Sequence, residues 1–283
     1  MMIFKKKIVL GYDYDTFLNC KEKIGIMACC EKTENSHIIL SGMSGSGKST
    51  ALLMLYAELI KTEENGIYYF ADFKQDSSFR FLRKSKRYYP FEKCLEAIEI
   101  VYEILLNRQL GKNESEKPVT LIFDEYVSYI LYLMEIDKRK ADSVMSKIAT
   151  ILMLGRSLKV RLILTCQRPD ANVFKNGSRL NFGIIIILGA SIKSIYEMFL
   201  PKEYIELIGD RKFKVGEGVV LLQNSELHFV KMPIIRNEDK LKELCMVGLS
   251  EWHIGIAVAK PQAILKVVHS ITTTLNNKYK ISL

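Results

Sequence analysis

One eight-residue segment constrains the fold of this chain more than any other. Gly42-Met-Ser-Gly-Ser-Gly-Lys-Ser49 has the spacing G-x-x-x-x-G-K-[ST], which is that of a phosphate-binding loop. Residues 37–41 before it predict a short buried strand, and residues 50–56 after it predict a helix with an apolar face. The motif requires this order of strand, loop and helix. The sequence therefore predicts an α/β protein of the P-loop NTPase class.

The residue types of this loop also predict its ligand. Glycines allow the backbone N–H groups to point inward as an anion-binding nest at a helix N-terminus. Lys48 would reach the β- and γ-phosphates of ATP, and the Ser49 hydroxyl would bind Mg²⁺. A chance turn rich in glycine and serine is the alternative, which the flanking elements disfavour. The residues expected to bind the nucleotide are Gly42, Ser44, Gly45, Ser46, Gly47, Lys48, Ser49 and Thr50.

Further apolar runs predict the rest of the sheet. Near-continuous apolar strands that alternate with helices are typical of a parallel sheet covered on both faces. We therefore expect a mostly parallel central sheet flanked by helices, closed by a hairpin. The predicted strands are residues 66–71, 119–124, 161–166 and 182–188, the hairpin is 216–222 with 227–230, and the helices are 91–109 and 124–158, which a break near 136–138 could divide.

The predicted strand at residues 119–124 ends in two adjacent carboxylates, Asp124 and Glu125. Its apolar residues would bring Asp124 to the carboxyl edge of the sheet, where ligands bind in open α/β folds. Asp124 is expected to hold Mg²⁺, directly or through water. Glu125 is expected to act as a general base that polarises the attacking water. A strand that ends in a solvated acidic turn is the alternative, and the complete phosphate-binding loop disfavours it.

Gln167 follows the predicted strand at residues 161–166. A polar residue at the tip of a strand beside the Asp124 strand can sense the γ-phosphate, because an amide donates and accepts hydrogen bonds without charge. A simple turn opened by Pro169 explains the same residues equally well. Both interpretations stay open on spacing alone.

The charge of the chain favours an anionic partner. Lys and Arg number 41 against 32 Asp and Glu, which gives a net charge of +9. That balance suits nucleic acid or an acidic membrane surface, although dispersed surface charge is the alternative. Residues 79–89 interleave five basic residues with aromatics, as in a sequence-independent phosphate contact or in an ordinary solvated loop.

Membrane insertion and a disulfide framework are not expected. The longest aliphatic run, residues 184–188, is far shorter than the ~20 residues that cross a bilayer. The six cysteines show no C-x-x-C spacing and fit free thiols in the cytosol. A cytoplasmic location follows, with attachment to the inner face of a membrane only through a partner.

Several of these segments resemble the FtsK/SpoIIIE DNA translocases of the HerA/FtsK superfamily, most of all the short versions on Gram-positive conjugative elements. The resemblance covers roughly residues 36–235, an ATPase motor domain between a lead-in at 1–35 and a tail of unknown role at 236–283. The segments that carry it are residues 36–49, Ala71-Asp-Phe-Lys74, Asp124-Glu-Tyr-Val-Ser128, Gly155-Arg-Ser-Leu158 and Leu162-Ile-Leu-Thr-Cys-Gln-Arg-Pro-Asp-Ala171.

The resemblance implies a RecA-like motor that hydrolyses ATP with Mg²⁺, assembles as a homo-hexamer and moves double-stranded DNA. Conjugative transfer or DNA segregation would be its setting, with a membrane-bound transfer complex as a further partner. Ring motors also insert an arginine from a neighbouring subunit to stabilise transition-state charge. Arg179 is preferred because it lies beyond the Gln167 strand, and Arg156 is the second candidate. A surface or fold-supporting role is the alternative for both.

The chain departs from the larger members of this family. We see neither their membrane-spanning N-terminal region nor an obvious C-terminal winged-helix module, so little sequence preference on DNA, or targeting by a partner, is expected. Two other functions stay open: a type IV coupling protein or secretion-type ring ATPase that moves single-stranded DNA or protein, and a non-catalytic nucleotide-binding adaptor. Glu125 argues against the adaptor, because a switch has little use for a base beside the metal.

Overall fold

The computed structural model describes residues 8–19, 27–30, 36–63, 65–115, 117–190, 192–223 and 225–250. The strands are β1 (Ile8–Asp13), β2 (Met27–Cys30), β3 (His37–Gly42), β4 (Ile67–Asp72), β5 (Tyr88–Pro90), β6 (Val119–Asp124), β7 (Val160–Cys166), β8 (Phe182–Leu188), β9 (Glu217–Leu222) and β10 (Glu226–Lys231). The α-helices are α1 (Tyr14–Asn19), α2 (Lys48–Thr62), α3 (Cys94–Gln109), α4 (Tyr126–Ile136), α5 (Lys138–Leu154), α6 (Lys193–Phe199), α7 (Lys202–Ile208) and α8 (Glu238–Gly248).

The strands form one mixed sheet in the order β2-β1-β10-β9-β8-β3-β7-β6-β4-β5. The half from β8 to β5 is parallel, as the sequence predicted. The half from β2 to β8 is antiparallel. The sheet as a whole is therefore mixed, and the expectation of a mostly parallel sheet was only partly right. The reason lies in the connections: the short turn between β9 and β10 can join only antiparallel strands, since a parallel pair needs a crossover of about a dozen residues or more.

The predicted strands and helices are present, including the break in the long helix. Asp137 adopts an extended conformation between α4 and α5, and its side chain accepts a hydrogen bond of 3.0 Å from the Lys140 N–H. An aspartate in this position caps the first turn of the following helix. Sequence patterns missed β5, α6 and α7, which span three, seven and seven residues and are too short for a periodic signal.

Both faces of the sheet are buried under helices. Ile122 of β6 packs into the core beneath α2, whereas its neighbours Leu121 and Phe123 pack into the core beneath α3, α4 and α5. Because successive strand residues point to opposite faces, an uninterrupted apolar strand is the pattern that two covered faces require. Each such side chain stabilises the fold by about 1.5–3 kcal/mol when fully buried.

The antiparallel edge and the last described helix extend this core. Strands β1 and β2 come from the predicted lead-in and pair in the same sheet. Helix α8 comes from the predicted tail and packs on α2, where the Tyr56 hydroxyl donates a hydrogen bond of 3.0 Å to the Cys245 carbonyl. The domain boundaries at residues 35 and 235 stay a prediction. Among the described helices, none has the length and apolar character that crossing a bilayer requires.

His37 begins β3 at the amino edge of the sheet and is almost fully buried. Its Nδ1 atom accepts a hydrogen bond of 3.0 Å from the Leu162 N–H of β7. Desolvation by burial, reinforced by the positive charges of Arg161 and Arg156, lowers the pKa of His37 to about 3. The folded state therefore holds this imidazole neutral, and the ring joins β3 to β7 as an acceptor.

Because of His37, the free energy of unfolding should decrease as the pH is lowered. A histidine with a depressed pKa contributes stability above its unfolded pKa of 6.5, and that stability is lost as the pH falls below this value. Between pH 7 and pH 5 the wild type should lose about 2 kcal/mol more free energy of unfolding than His37→Asn, which keeps an acceptor but does not titrate. Urea denaturation at both pH values measures this, and equal losses in the two proteins would contradict the assignment.

Candidate functional site

The phosphate-binding loop lies at the carboxyl edge of β3, between the ends of β8 and β7. Gly45 and Gly47 have φ angles of 78° and 90°, in the left-handed region that favours glycine. Gly42 is required for a different reason, because a Cβ atom there would lie 2.5 Å from the Ser46 Oγ and 2.8 Å from the Leu188 carbonyl oxygen. The spacing of the motif thus has a steric cause at each glycine.

Two glycines that sequence reasoning missed support the loop from behind. The Gly216 N–H donates a hydrogen bond of 2.9 Å to the Ser46 carbonyl. Gly189, with φ 73°, lies so close that a Cβ atom there would be 2.8 Å from the Ser46 Cβ. Each glycine flanks a strand end, which is a weak signal because turns also favour glycine at such points.

The residues of the loop fit a phosphate group. The Ser46 Oγ is buried without a hydrogen-bond partner among the described residues, and an isolated buried hydroxyl is costly unless a ligand satisfies it. Lys48, the first residue of α2, is buried. Ser49 is half-buried, and Ser44, Gly45 and Thr50 are exposed at the mouth of the loop. A helix N-terminus with one buried cation and inward-facing polar groups is an anion-binding arrangement.

Asp124 ends β6 beside this loop and is almost fully buried. The Thr165 hydroxyl of β7 donates a hydrogen bond of 2.7 Å to its Oδ1. Burial raises the pKa of Asp124 to about 7, although the Lys48 charge and the Thr165 hydrogen bond act in the opposite direction. A carboxylate whose charge is compensated so poorly is one that a bound cation would stabilise.

The site offers few protein ligands for a magnesium ion, which is the usual situation at a nucleotide site. In the part of the chain that the structure describes, no three His, Cys, Asp or Glu side chains are grouped to hold a metal ion. Mg²⁺ is commonly bound by one or two protein oxygens together with nucleotide phosphates and water. The Asp124 carboxylate and the Ser49 hydroxyl are the groups that would hold it.

Glu125 is placed by its backbone and by three side chains. It adopts the left-handed conformation at φ 60° directly before α4, which is uncommon outside glycine. Its N–H donates a hydrogen bond of 2.9 Å to the Thr165 Oγ1, so that Thr165 holds both carboxylate residues. The Glu125 carboxylate accepts hydrogen bonds from the Lys48 ammonium group and, at 3.1 Å, from the Ser128 hydroxyl.

A second lysine also contacts Glu125. The Lys74 Nζ lies 3.3 Å from the Glu125 Oε2. Desolvation by burial acts to raise the pKa of Glu125, but Lys48 and Lys74 together hold that pKa below its ordinary value. Glu125 is thus a buried, ionised carboxylate between two cations. Sequence reasoning missed the roles of Thr165 and Lys74: both lie in segments that carry the family resemblance, but no motif spacing assigns either of them a chemical role.

The three other predicted site residues are placed as follows. Gln167 follows β7 at the same sheet edge as the phosphate-binding loop and is half-buried. The Arg179 Nη1 contacts the Met198 Sδ of α6 at 2.9 Å. The backbones of Arg179 and Arg156 precede β8 and β7, at the amino edge of the sheet, away from the phosphate-binding loop of the same chain. This placement brings Gln167, but neither arginine, to the site edge.

One sequence relative bears on the predicted family resemblance. No protein-family model matches the chain. The curated "Ftsk domain-containing protein YdcQ" of Bacillus subtilis (strain 168) is 34% identical over 123 residues. The predicted resemblance to FtsK-domain proteins is confirmed. The matched part is 41% of this chain and 25% of the length of YdcQ.

Solved structures show the same fold. The cytoplasmic domain of the Thermomonospora curvata type VII secretion ATPase EccC matches with a TM-score of 0.60 and 18% identity, over 87% of this chain and 31% of that one. The pCW3 conjugation coupling protein TcpA, solved in its monomer form with ATPγS, matches with a TM-score of 0.60 and 19% identity, over 86% of this chain and 71% of that one. The chain therefore has the α/β fold of these ATPases.

Proposed function

We propose that this chain is a RecA-like, Mg²⁺-dependent ATPase. The observation that carries the proposal is the position of Glu125, buried beside the phosphate-binding lysine and the Asp124 carboxylate, within one site at the sheet edge. A nucleotide switch needs the loop and the metal ligand, but it does not need a second, ionised carboxylate at the γ-phosphate end of the loop.

Each residue of the site would have a separate role in ATP hydrolysis. The loop N–H groups and Lys48 would hold the phosphates, which positions the γ-phosphoryl group for in-line attack. Glu125 would accept a proton from the attacking water. Bound Mg²⁺ would neutralise charge on the phosphate oxygens. Gln167 would sense the γ-phosphate, and an arginine from a neighbouring subunit, Arg179 before Arg156, would complete the site.

We further propose that ATP hydrolysis drives movement of double-stranded DNA, in conjugative transfer or DNA segregation, by a homo-hexamer in the cytoplasm. Three observations support this: the match to an FtsK domain-containing protein, the match to the conjugation coupling protein TcpA, and the net charge of +9. A membrane-bound transfer complex would bring the motor to the inner face of the membrane.

The main rival is a secretion or coupling ATPase that moves protein or single-stranded DNA. The type VII secretion ATPase EccC supports it, since EccC matches this chain with the same TM-score as TcpA. The fold is therefore common to both functions, and only the polymer that stimulates turnover distinguishes them. A non-catalytic adaptor has less support, because it has no use for an ionised carboxylate held beside the phosphate-binding lysine.

Steady-state ATP hydrolysis with Mg²⁺ tests the proposal. The full chain is assayed alone, with duplex DNA and with single-stranded DNA of equal nucleotide concentration, at low and moderate salt. Stimulation by duplex above single strands supports translocation of duplex DNA. Equal rates in all three conditions would contradict the DNA proposal, and ATP binding without any turnover would favour the adaptor.

The basic segment at residues 79–89 gives a sharper prediction for DNA. Arg87 is buried with its guanidinium 5.7 Å from the Tyr69 ring centre, so it supports the fold. Arg80, Arg83 and Lys84 are exposed and can meet phosphates. Their triple change to Ala should weaken duplex binding and lower the steepness of its logarithmic salt dependence by about 2–3. Fluorescence anisotropy across a salt series measures this, with Lys138→Ala and Arg139→Ala as a charge control on α5.

A further inference from the structure

Lys74 lies at the carboxyl edge of β4, in the segment Ala71-Asp-Phe-Lys74 that the sequence singled out without a role. The Lys74 side chain is 41% exposed, whereas the Glu125 side chain that it contacts is 2% exposed. The Lys48 side chain on the other side of Glu125 is 7% exposed. Glu125 thus bridges an inner lysine at the phosphate-binding loop and an outer lysine at the mouth of the site.

The turn that carries Lys74 is firmly built. The buried Asp72 carboxylate accepts hydrogen bonds from the N–H groups of Gln75 and Asp76 and, at 2.5 Å, from the Tyr88 hydroxyl. Gln75 has a φ angle of 54°, a conformation that persists only where surrounding contacts enforce it. Lys74 therefore emerges from a fixed backbone.

Phe73 fixes the same turn from its other side. Its ring lies 5.5 Å from the Phe91 ring, 5.4 Å from the Tyr129 ring and 5.5 Å from the Tyr132 ring, measured between centres. Aromatic pairs at such distances stabilise the fold beyond the burial of their surfaces. Because Tyr129 and Tyr132 belong to α4, which begins directly after Glu125, the turn and the carboxylate are held in one rigid unit.

One consequence concerns Lys48. A lysine that turns its N–H donors toward phosphate weakens its pairing with a carboxylate. A buried carboxylate that loses part of its compensating charge is destabilised. A second cation beside Glu125 would offset this loss when a nucleotide binds. Lys74, already in contact with the opposite carboxylate oxygen, is placed to supply it.

We propose that Lys74 is a positioning residue that retains the Glu125 carboxylate when Lys48 leaves it for the phosphates of a bound nucleotide. This inference rests on the proposed nucleotide site and adds a residue to it. It makes Lys74 act through Glu125 and not through direct contact with phosphate. The two modes of action predict different losses of nucleotide affinity when Lys74 is removed from a chain whose Glu125 has already been replaced by a neutral residue.

A double-mutant cycle separates them. The affinity of the full chain for a fluorescent ATP analogue with Mg²⁺ is measured for wild type, Lys74→Met, Glu125→Gln and the double variant. Lys74→Met should weaken binding by about three- to fivefold in the wild-type background. In the Glu125→Gln background the same change should have almost no effect, since the carboxylate that needs a cation is gone.

The controls define the outcomes. Lys74→Arg should restore wild-type affinity, and Lys112→Met, which removes an exposed charge at the opposite edge of the sheet, should leave it unchanged. An equal loss in both backgrounds would overturn the proposal and assign Lys74 to the phosphates, while leaving the ATPase proposal intact. No binding by the wild type would overturn both.

Discussion

Glu125→Gln should lower kcat for ATP hydrolysis by about 10²- to 10⁴-fold, the range for loss of a positioned general base. Glutamine keeps the shape of the side chain and its hydrogen bond with Ser128, but it cannot accept the proton of the attacking water. Nucleotide affinity should stay the same or rise, because Lys48 is released from its carboxylate partner. Steady-state hydrolysis and binding of a fluorescent ATP analogue measure the two effects separately.

A matched control shows whether the loss of hydrolysis is specific to Glu125. Glu103→Gln makes the same change at an exposed position on α3 and should leave hydrolysis unchanged. If Glu125→Gln kept more than about a tenth of the wild-type rate, the loss would be too small for a general base, and another group would have to activate the water. If it lost binding as well as turnover, the carboxylate would be required for the shape of the site.

Local sequence was enough to predict the parts of the site that depend on local geometry. The loop from Gly42 to Ser49 was predictable because Gly42 lacks room for a Cβ atom, and Gly45 and Gly47 adopt positive φ angles that other residues rarely adopt. The strand that delivers Asp124 was predictable because both of its faces are buried, which leaves a run of apolar residues broken only by Thr120. The turn at Asp137 was predictable because a short polar residue caps the next helix.

The contacts that complete the site depend on the order of strands, which local patterns do not encode. Thr165 meets Asp124 only because β7 lies beside β6, and Lys74 meets Glu125 only because β4 lies on the other side of β6. Threonine and lysine are common residue types, and no motif spacing marks either position. The extension of the sheet beyond the predicted hairpin was missed for a related reason, since β1 pairs with the distant strand β10 and β2 pairs with β1.

Lys48→Met should remove two properties at once. Methionine keeps the length of the side chain but not its charge, so ATP affinity should fall by about 10- to 10²-fold, the value of charge-assisted hydrogen bonds to phosphate. The change also leaves the buried Glu125 with Lys74 alone, at the exposed mouth of the site. The free energy of unfolding without nucleotide should therefore fall by about 2 kcal/mol, since removing one partner of a buried pair leaves an uncompensated charge.

The double variant Lys48→Met with Glu125→Gln separates these effects. Its stability should return close to that of the wild type, because no buried carboxylate is left without its cation. Its ATP affinity should stay as low as that of Lys48→Met, because the phosphates still lack their ammonium group. Urea denaturation and nucleotide binding measure the two properties on the same proteins. If the single variant were as stable as the wild type, the contact between Lys48 and Glu125 would contribute nothing to the nucleotide-free fold, and the need for Lys74 as a second cation would fail with it.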